Sequence, residues 1–157
     1  MALLTSKDID GDNEIAYDFY FPTSKKALII FTRNPELGKV KTRLAQGVGD
    51  ENALEIYKSL LQHTVKITQD LKVDKYVFYS EAIHRNDIWN PDAFRKKIQS
   101  EGDLGQKMEN AFAELFEMGY EKAIIIGSDL YDLNQIDLEQ AFEVLEENDY
   151  VLGPATD

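Results

Sequence analysis

Cysteine is absent from the 157 residues. That excludes disulfides, thiolate metal sites and a nucleophilic thiol, and it suits a reducing, cytoplasmic setting. Histidine occurs only twice, as His63 inside a helical pattern and His84 in a polar loop. The two do not form a metal pair, and neither is assigned a catalytic role. Basic residues are scarce as well: 17 Lys and Arg against 29 Asp and Glu leave a formal charge of −12. Nucleic-acid phosphates and an anionic membrane surface would be repelled over most of such a protein. No apolar run approaches the roughly 20 residues of a spanning helix. The opening MALLTSKDIDGDNE is acidic and has no sustained apolar core, so it is not a secretory signal. Neither a Walker A loop nor a G-x-G-x-x-G fingerprint occurs.

What is present suits one globular domain. The length supports a core large enough for independent folding, and 43% hydrophobic with 29% charged residues is the composition of a globular chain. Residues 1–24 read as a mobile N-terminal extension. They hold the acidic run DIDGDNE and an aromatic patch, YDFYF, that could dock as an edge strand. The acidic run lacks the full spacing and closing glutamate of a calcium loop, so a solvated turn is the expectation. From Lys25 onward, strands and helices alternate. ALIIF (27–31), KYVFYS (75–80), AIII (123–126) and YVLG (150–153) read as strands. Helical faces run through Leu54, Tyr57, Leu61, Thr64, Val65, Thr68 and Leu71, then Leu104, Met108, Ala111, Phe112, Leu115 and Phe116, then Leu138, Ala141, Phe142 and Leu145. An irregular stretch with short helical turns is expected around Trp89, Asn90 and Pro91. The pattern implies a three-layer α/β/α fold with a mostly parallel sheet over residues 25–157.

Ligands of such sheets collect beyond the carboxyl ends of the strands. Two segments leave strands there with unusual chemistry. The first, FTRNPELGKVKTRLA (31–45), sets Arg33, Lys39, Lys41 and Arg43 around Gly38, beside one acid, Glu36. Cations near a helix start oppose the helix dipole, whereas a bound anion would reverse the sign. A phosphate or diphosphate therefore explains the placement, and a solvated basic face paired with acids elsewhere is the alternative. The second segment is Gly127-Ser128-Asp129, with Asp132 three residues on. One or two carboxylates facing a diphosphate suit Mg²⁺ or Mn²⁺, although a turn or capping aspartate is an equally ordinary role. A third segment, GDLG (102–105), places Asp103 before a helix, as a cap or as part of a loop closing over a nucleotide base.

FTRNPELGKVKTRLA, GDLGQKMENAF, IIIGSDLYDL and VLGPATD occur in that order. Together they resemble the bacterial glycosyltransferase-like proteins of GT-A fold, some linked to arsenosugar biosynthesis and related to MobA-type nucleotidyltransferases. The resemblance covers about residues 26–157. It implies a nucleotide-diphospho-sugar transferase fold, a divalent metal, a nucleotide-sugar donor and a small-molecule acceptor. It would put Arg33, Gly38, Lys39, Lys41, Arg43 and Asp103 at the nucleotide, the metal-binding carboxylate at Asp129, and Asp157 near the donor sugar or the metal as a catalytic candidate. Leu130-Tyr131 stands where such proteins often carry a proline. Similar proteins also continue past the final aspartate, so an incomplete sheet and acceptor pocket are expected, with exposed edges that invite self-association.

Overall fold

The computed structural model describes residues 4–7, 14–17, 20–36 and 38–148, with side chains from Tyr20 onward. Two short strands, β1 (Leu4–Lys7) and β2 (Glu14–Tyr17), pair antiparallel as a sheet of their own. The main sheet is parallel, in the order β5-β4-β3-β6. Its members are β3 (Lys26–Thr32), β4 (Asp74–Tyr79), β5 (Arg95–Ile98) and β6 (Lys122–Gly127). The helices are α1 (Thr42–Val48), α2 (Asp50–Thr68), α3 (Leu104–Glu117) and α4 (Gln135–Glu147). The expected three-layer parallel α/β architecture is the one observed.

Alternation along β3 builds the two halves of the core. Leu28 and Ile30 join Tyr57 and Leu61 of α2 and Leu138, Phe142 and Leu145 of α4. Ala27 and Ile29 face the other way, onto Ala111 and Leu115 of α3. The chain moves from β3 to β4 and β5 in one direction and returns from β5 to β6 across the opposite face. Right-handed crossovers produce this arrangement when the direction of travel reverses.

Three elements differ from the sequence expectation. β5 is made of Arg-Lys-Lys-Ile, which carries no apolar signal. Its cations are neutralised locally instead. Lys96 is 7% exposed, and its ammonium donates to the carbonyls of His84 and Arg85 and to Asp87 Oδ1 at 2.9 Å. Arg95 reaches Asp74, Tyr76 and Tyr120. Among the described residues the outer strands of this sheet are β5 and β6, and the YDFYF patch adds no strand to it. From that patch Tyr20 docks as a side chain, its ring edge-on to Tyr76 at 5.7 Å and its hydroxyl accepting from Lys96 N. On α3, Leu104 and Phe116 are exposed rather than inward, at 64% and 47%. Residues 150–153 lie outside the described residues. Among the described residues, no helix is long and apolar enough to cross a membrane.

Candidate functional site

Strand register decides what meets at the carboxyl edge. Phe31 pairs with Phe78 and Gly127, and Tyr79 pairs with both Thr32 and Ile98. Arg33, Ser80, Gln99 and Ser128 therefore leave the sheet at one level. The ladder continues into them: Ser80 N donates to Thr32 O, Ser128 N to Phe31 O and Gln99 N to Tyr79 O, at 2.9–3.1 Å. The Gln99 amide also donates to Phe78 O at 2.9 Å. These bonds fix the floor of a cleft of about 320 Å³, lined by Phe31 to Arg33, Ser80, Gln99, Gly127 to Asp129, Tyr57 of α2, and Leu104 and Lys107 of α3.

The basic loop and the acidic turn meet directly. Lys41 Nζ lies 3.4 Å from Asp129 Oδ2, with the two side chains 31% and 41% exposed. Lys41 is also the one non-glycine residue at positive φ among those described, at φ 50° and ψ 47°, where it precedes α1. L-residues occupy that region at a cost of roughly 1–2 kcal/mol. Gly127 leaves room for the carboxylate, since a Cβ there would sit 3.1 Å from Asp129 Oδ1. Arg33 and Lys107 line the cleft and have no ion-pair partner among the described residues.

Not all predicted site residues converge. Lys39 is bound to Glu36 at 2.6 Å, and that pairing raises its pKa. Gly38, at φ +79°, makes the turn that precedes Lys39. Arg43 is exposed on α1 and is not part of the cleft lining. Asp103 is the N-cap of α3: its Oδ1 accepts from Gln106 N at 2.8 Å, while the Gln106 side chain accepts from Asp103 N at 2.9 Å. Gly102 is required by this capping box, because a Cβ would sit 2.4 Å from Gln106 Oε1. GDLG is thus a helix start that delivers Leu104 and Lys107, one turn apart, to the cleft. Asp132 is exposed and does not line it. Asp157 lies outside the described residues.

Tyr57 was legible only as a core position, yet its buried hydroxyl ties the two arms together. It accepts from Arg33 N at 2.9 Å, lies 3.1 Å from Arg33 O and 3.1 Å from Ser128 Oγ. All three contacts are satisfied when Tyr57 donates to the carbonyl and Ser128 donates to Tyr57. Thr64, two turns along α2, donates to Ser128 O at 2.9 Å. One helix therefore holds the starts of both functional segments.

No group of three metal-ligating side chains occurs among the described residues. A Mg²⁺ or Mn²⁺ bound together with phosphates needs few: one or two carboxylates suffice, with waters and phosphate oxygens completing the shell. Asp129, partly exposed beside two unpaired cations, fits that limited share.

Residues 63–157 match the profile of a family described as "Uncharacterized protein conserved in bacteria (DUF2064)". Among solved structures, the fold is similar to that of a "putative nucleotide-diphospho-sugar transferase" from Desulfovibrio desulfuricans G20, with a TM-score of 0.70 and 27% identity. The similarity covers 80% of this chain and 56% of that one, so the chain spans little more than half of that protein. The comparison with curated proteins gave no match.

Proposed function

We propose that the chain, which belongs to the bacterial family DUF2064, binds a nucleotide-diphospho-sugar in its carboxyl-edge cleft and transfers the sugar to a small acceptor. The observation that carries this reading is the meeting of Arg33, Lys41, Lys107 and Asp129 at one cleft in a chain of net charge −12. An anion bound between the unpaired cations Arg33 and Lys107 would be held by both, and the fold is similar to that of a "putative nucleotide-diphospho-sugar transferase". The finer placement beside arsenosugar-linked and MobA-like proteins, and a cytoplasmic location, belong to this same proposal.

In this scheme Arg33 and Lys107 hold the diphosphate from opposite walls, as charge-assisted donors. Lys41 adds a third cation. Leu104 offers an apolar surface at the rim. Ser80 and Gln99 flank the floor with neutral polar groups. During transfer, the bond between sugar C1 and the diphosphate oxygen breaks, its electrons leave on the diphosphate, and the acceptor hydroxyl oxygen bonds to C1 as its proton passes to solvent. The cations are already aimed where that charge grows, so little reorganisation is needed. Asp129 would hold Mg²⁺ or Mn²⁺, which supplies further neutralisation of the departing diphosphate. Arg43 and Lys39 remain available for the outer part of the nucleotide, and Asp157 for the sugar end.

The test is product identity. Incubation with UDP-, GDP- and CDP-sugars and the matching triphosphates, with Mn²⁺, is expected to release nucleoside diphosphate from one sugar donor. Pyrophosphate release from a triphosphate would replace this reading with nucleotidyl transfer. Failure of every nucleotide to raise the melting temperature would remove the nucleotide altogether, because a ligand at 100 times its Kd stabilises by about 2.7 kcal/mol.

A further inference from the structure

We propose that Lys41 is a coupling residue that exchanges between two anions. In the ligand-free protein its ammonium stands on Asp129; when ligand binds, it moves to a phosphate and releases the carboxylate for the divalent cation. This rests on the reading of Asp129 as the metal carboxylate and deepens it: metal and diphosphate should bind cooperatively, through one side chain.

Four observations carry the inference. Lys41 Nζ is 3.4 Å from Asp129 Oδ2, on the carboxylate that the metal would need. The contact is long and partly exposed, the kind of ion pair that is weak and readily given up. The Lys41 backbone is held at φ 50°, an uncommon conformation for lysine that fixes where its stem departs. Arg33, which lines the same cleft as Asp129, has no carboxylate partner among the described residues, so an incoming diphosphate meets an unpaired cation first. A bare Mn²⁺ must then displace an ammonium, and a bare diphosphate must draw Lys41 away from Asp129. When both bind together, each removes the other's competitor. Reciprocity follows from linkage: whatever factor the metal adds to diphosphate affinity, the diphosphate adds to metal affinity.

The experiment titrates the full chain with Mn²⁺ alone, read by electron paramagnetic resonance of free Mn²⁺. Inorganic pyrophosphate alone and the Mn²⁺–pyrophosphate complex are then titrated by calorimetry. The wild type is compared with Lys41→Met, Lys41→Arg and Asp129→Asn, each with an unchanged far-ultraviolet spectrum. Lys41→Met is expected to bind Mn²⁺ alone about 2- to 5-fold tighter, the scale of one partly exposed ion pair. It should bind pyrophosphate more weakly and lose most of the synergy, while Lys41→Arg restores the wild-type pattern. Unchanged or weaker Mn²⁺ binding by Lys41→Met, with Asp129→Asn abolishing it, would overturn the exchange and leave the metal site standing. Retention of Mn²⁺ affinity in Asp129→Asn would overturn both.

Discussion

Lys41 and Asp129 are 88 positions apart in the chain and 3.4 Å apart in space. That single contact turns two ordinary features, a basic loop and a turn aspartate, into one site. Tyr57 is the hinge of the arrangement because its hydroxyl serves both segments. Removing it by Tyr57→Phe keeps the ring in the core and leaves Arg33 N and Ser128 Oγ short of a partner. Stability should fall by about 1–3 kcal/mol, measured by urea denaturation. Nucleotide affinity should fall beyond that of a merely destabilised protein when both are compared well below the melting temperature. Gly127→Ala probes the same geometry from the other side. The added Cβ presses on Asp129 Oδ1 at 3.1 Å; Mn²⁺ affinity should drop while the sheet, which needs only backbone there, persists. A variant that binds Mn²⁺ like the wild type would show that Asp129 does not depend on that space.

At the scale of elements, the capping box of α3 separates two roles for Asp103. If the carboxylate only caps, Asp103→Ala costs about 1 kcal/mol of stability and leaves nucleotide affinity unchanged in a calorimetric titration. A loss of affinity larger than the loss of stability would instead place Asp103 on the ligand. At the opposite end of the sheet, a network joins β4, β5 and the segment before β3. Asp74, 6% exposed, accepts from Thr23 N at 2.8 Å, from Thr23 Oγ1, and from Tyr120 OH at 2.6 Å. Arg95 Nη1 donates to Tyr120 OH at 2.8 Å and to Tyr76 OH at 2.9 Å, and stands 3.4 Å from Asp74. Burial works to raise the Asp74 pKa, but the hydrogen bonds from Thr23 and Tyr120 and the charge of Arg95 outweigh it and hold the carboxyl below its ordinary value. A depressed folded-state pKa stabilises above the unfolded value and ceases to do so as the pH falls through the folded one. Asp74 should therefore contribute fully at neutral pH and lose its contribution in acid, below the ordinary 3.8. Asp74→Asn should flatten the acid limb of a stability-against-pH curve. An acid limb identical to wild type would place the titrating group elsewhere.

The elements also show why some of this was legible in the sequence. β3 and β6 announce themselves as apolar runs because parallel strands covered on both faces have no solvent side. β5 does not, since its three cations are accommodated by Asp74, by the carbonyls and acid of residues 84–87 and by Glu114 of α3, which only the folded chain brings near. The site divides in the same way. The carboxyl-edge rule placed Arg33 and Asp129 together because it needs only strand order and direction. Lys107, Gln99 and the hydroxyl of Tyr57 depend on which helix face meets which strand end. Leu104 has the helical spacing of a core residue, but α3 starts at the sheet edge and turns that position toward the cleft.

At the scale of the molecule, a charge of −12 surrounds a cleft whose unpaired side chains are cationic. The general field repels anions, and the local one draws them in at short range. Added salt screens exposed charges beyond about 8–10 Å. It should weaken the repulsion from the distant surface more than the contacts in the cleft, so ligand affinity should fall with salt less steeply than for a protein with a basic surface. The account stands most directly on one titration: calorimetry of UDP, GDP and CDP with Mn²⁺ into the wild type and into Asp129→Asn of equal melting temperature. It predicts that at least one nucleotide binds the wild type and that Asp129→Asn loses the metal-dependent part of that affinity. Binding by neither protein, or equal binding by both, would contradict it.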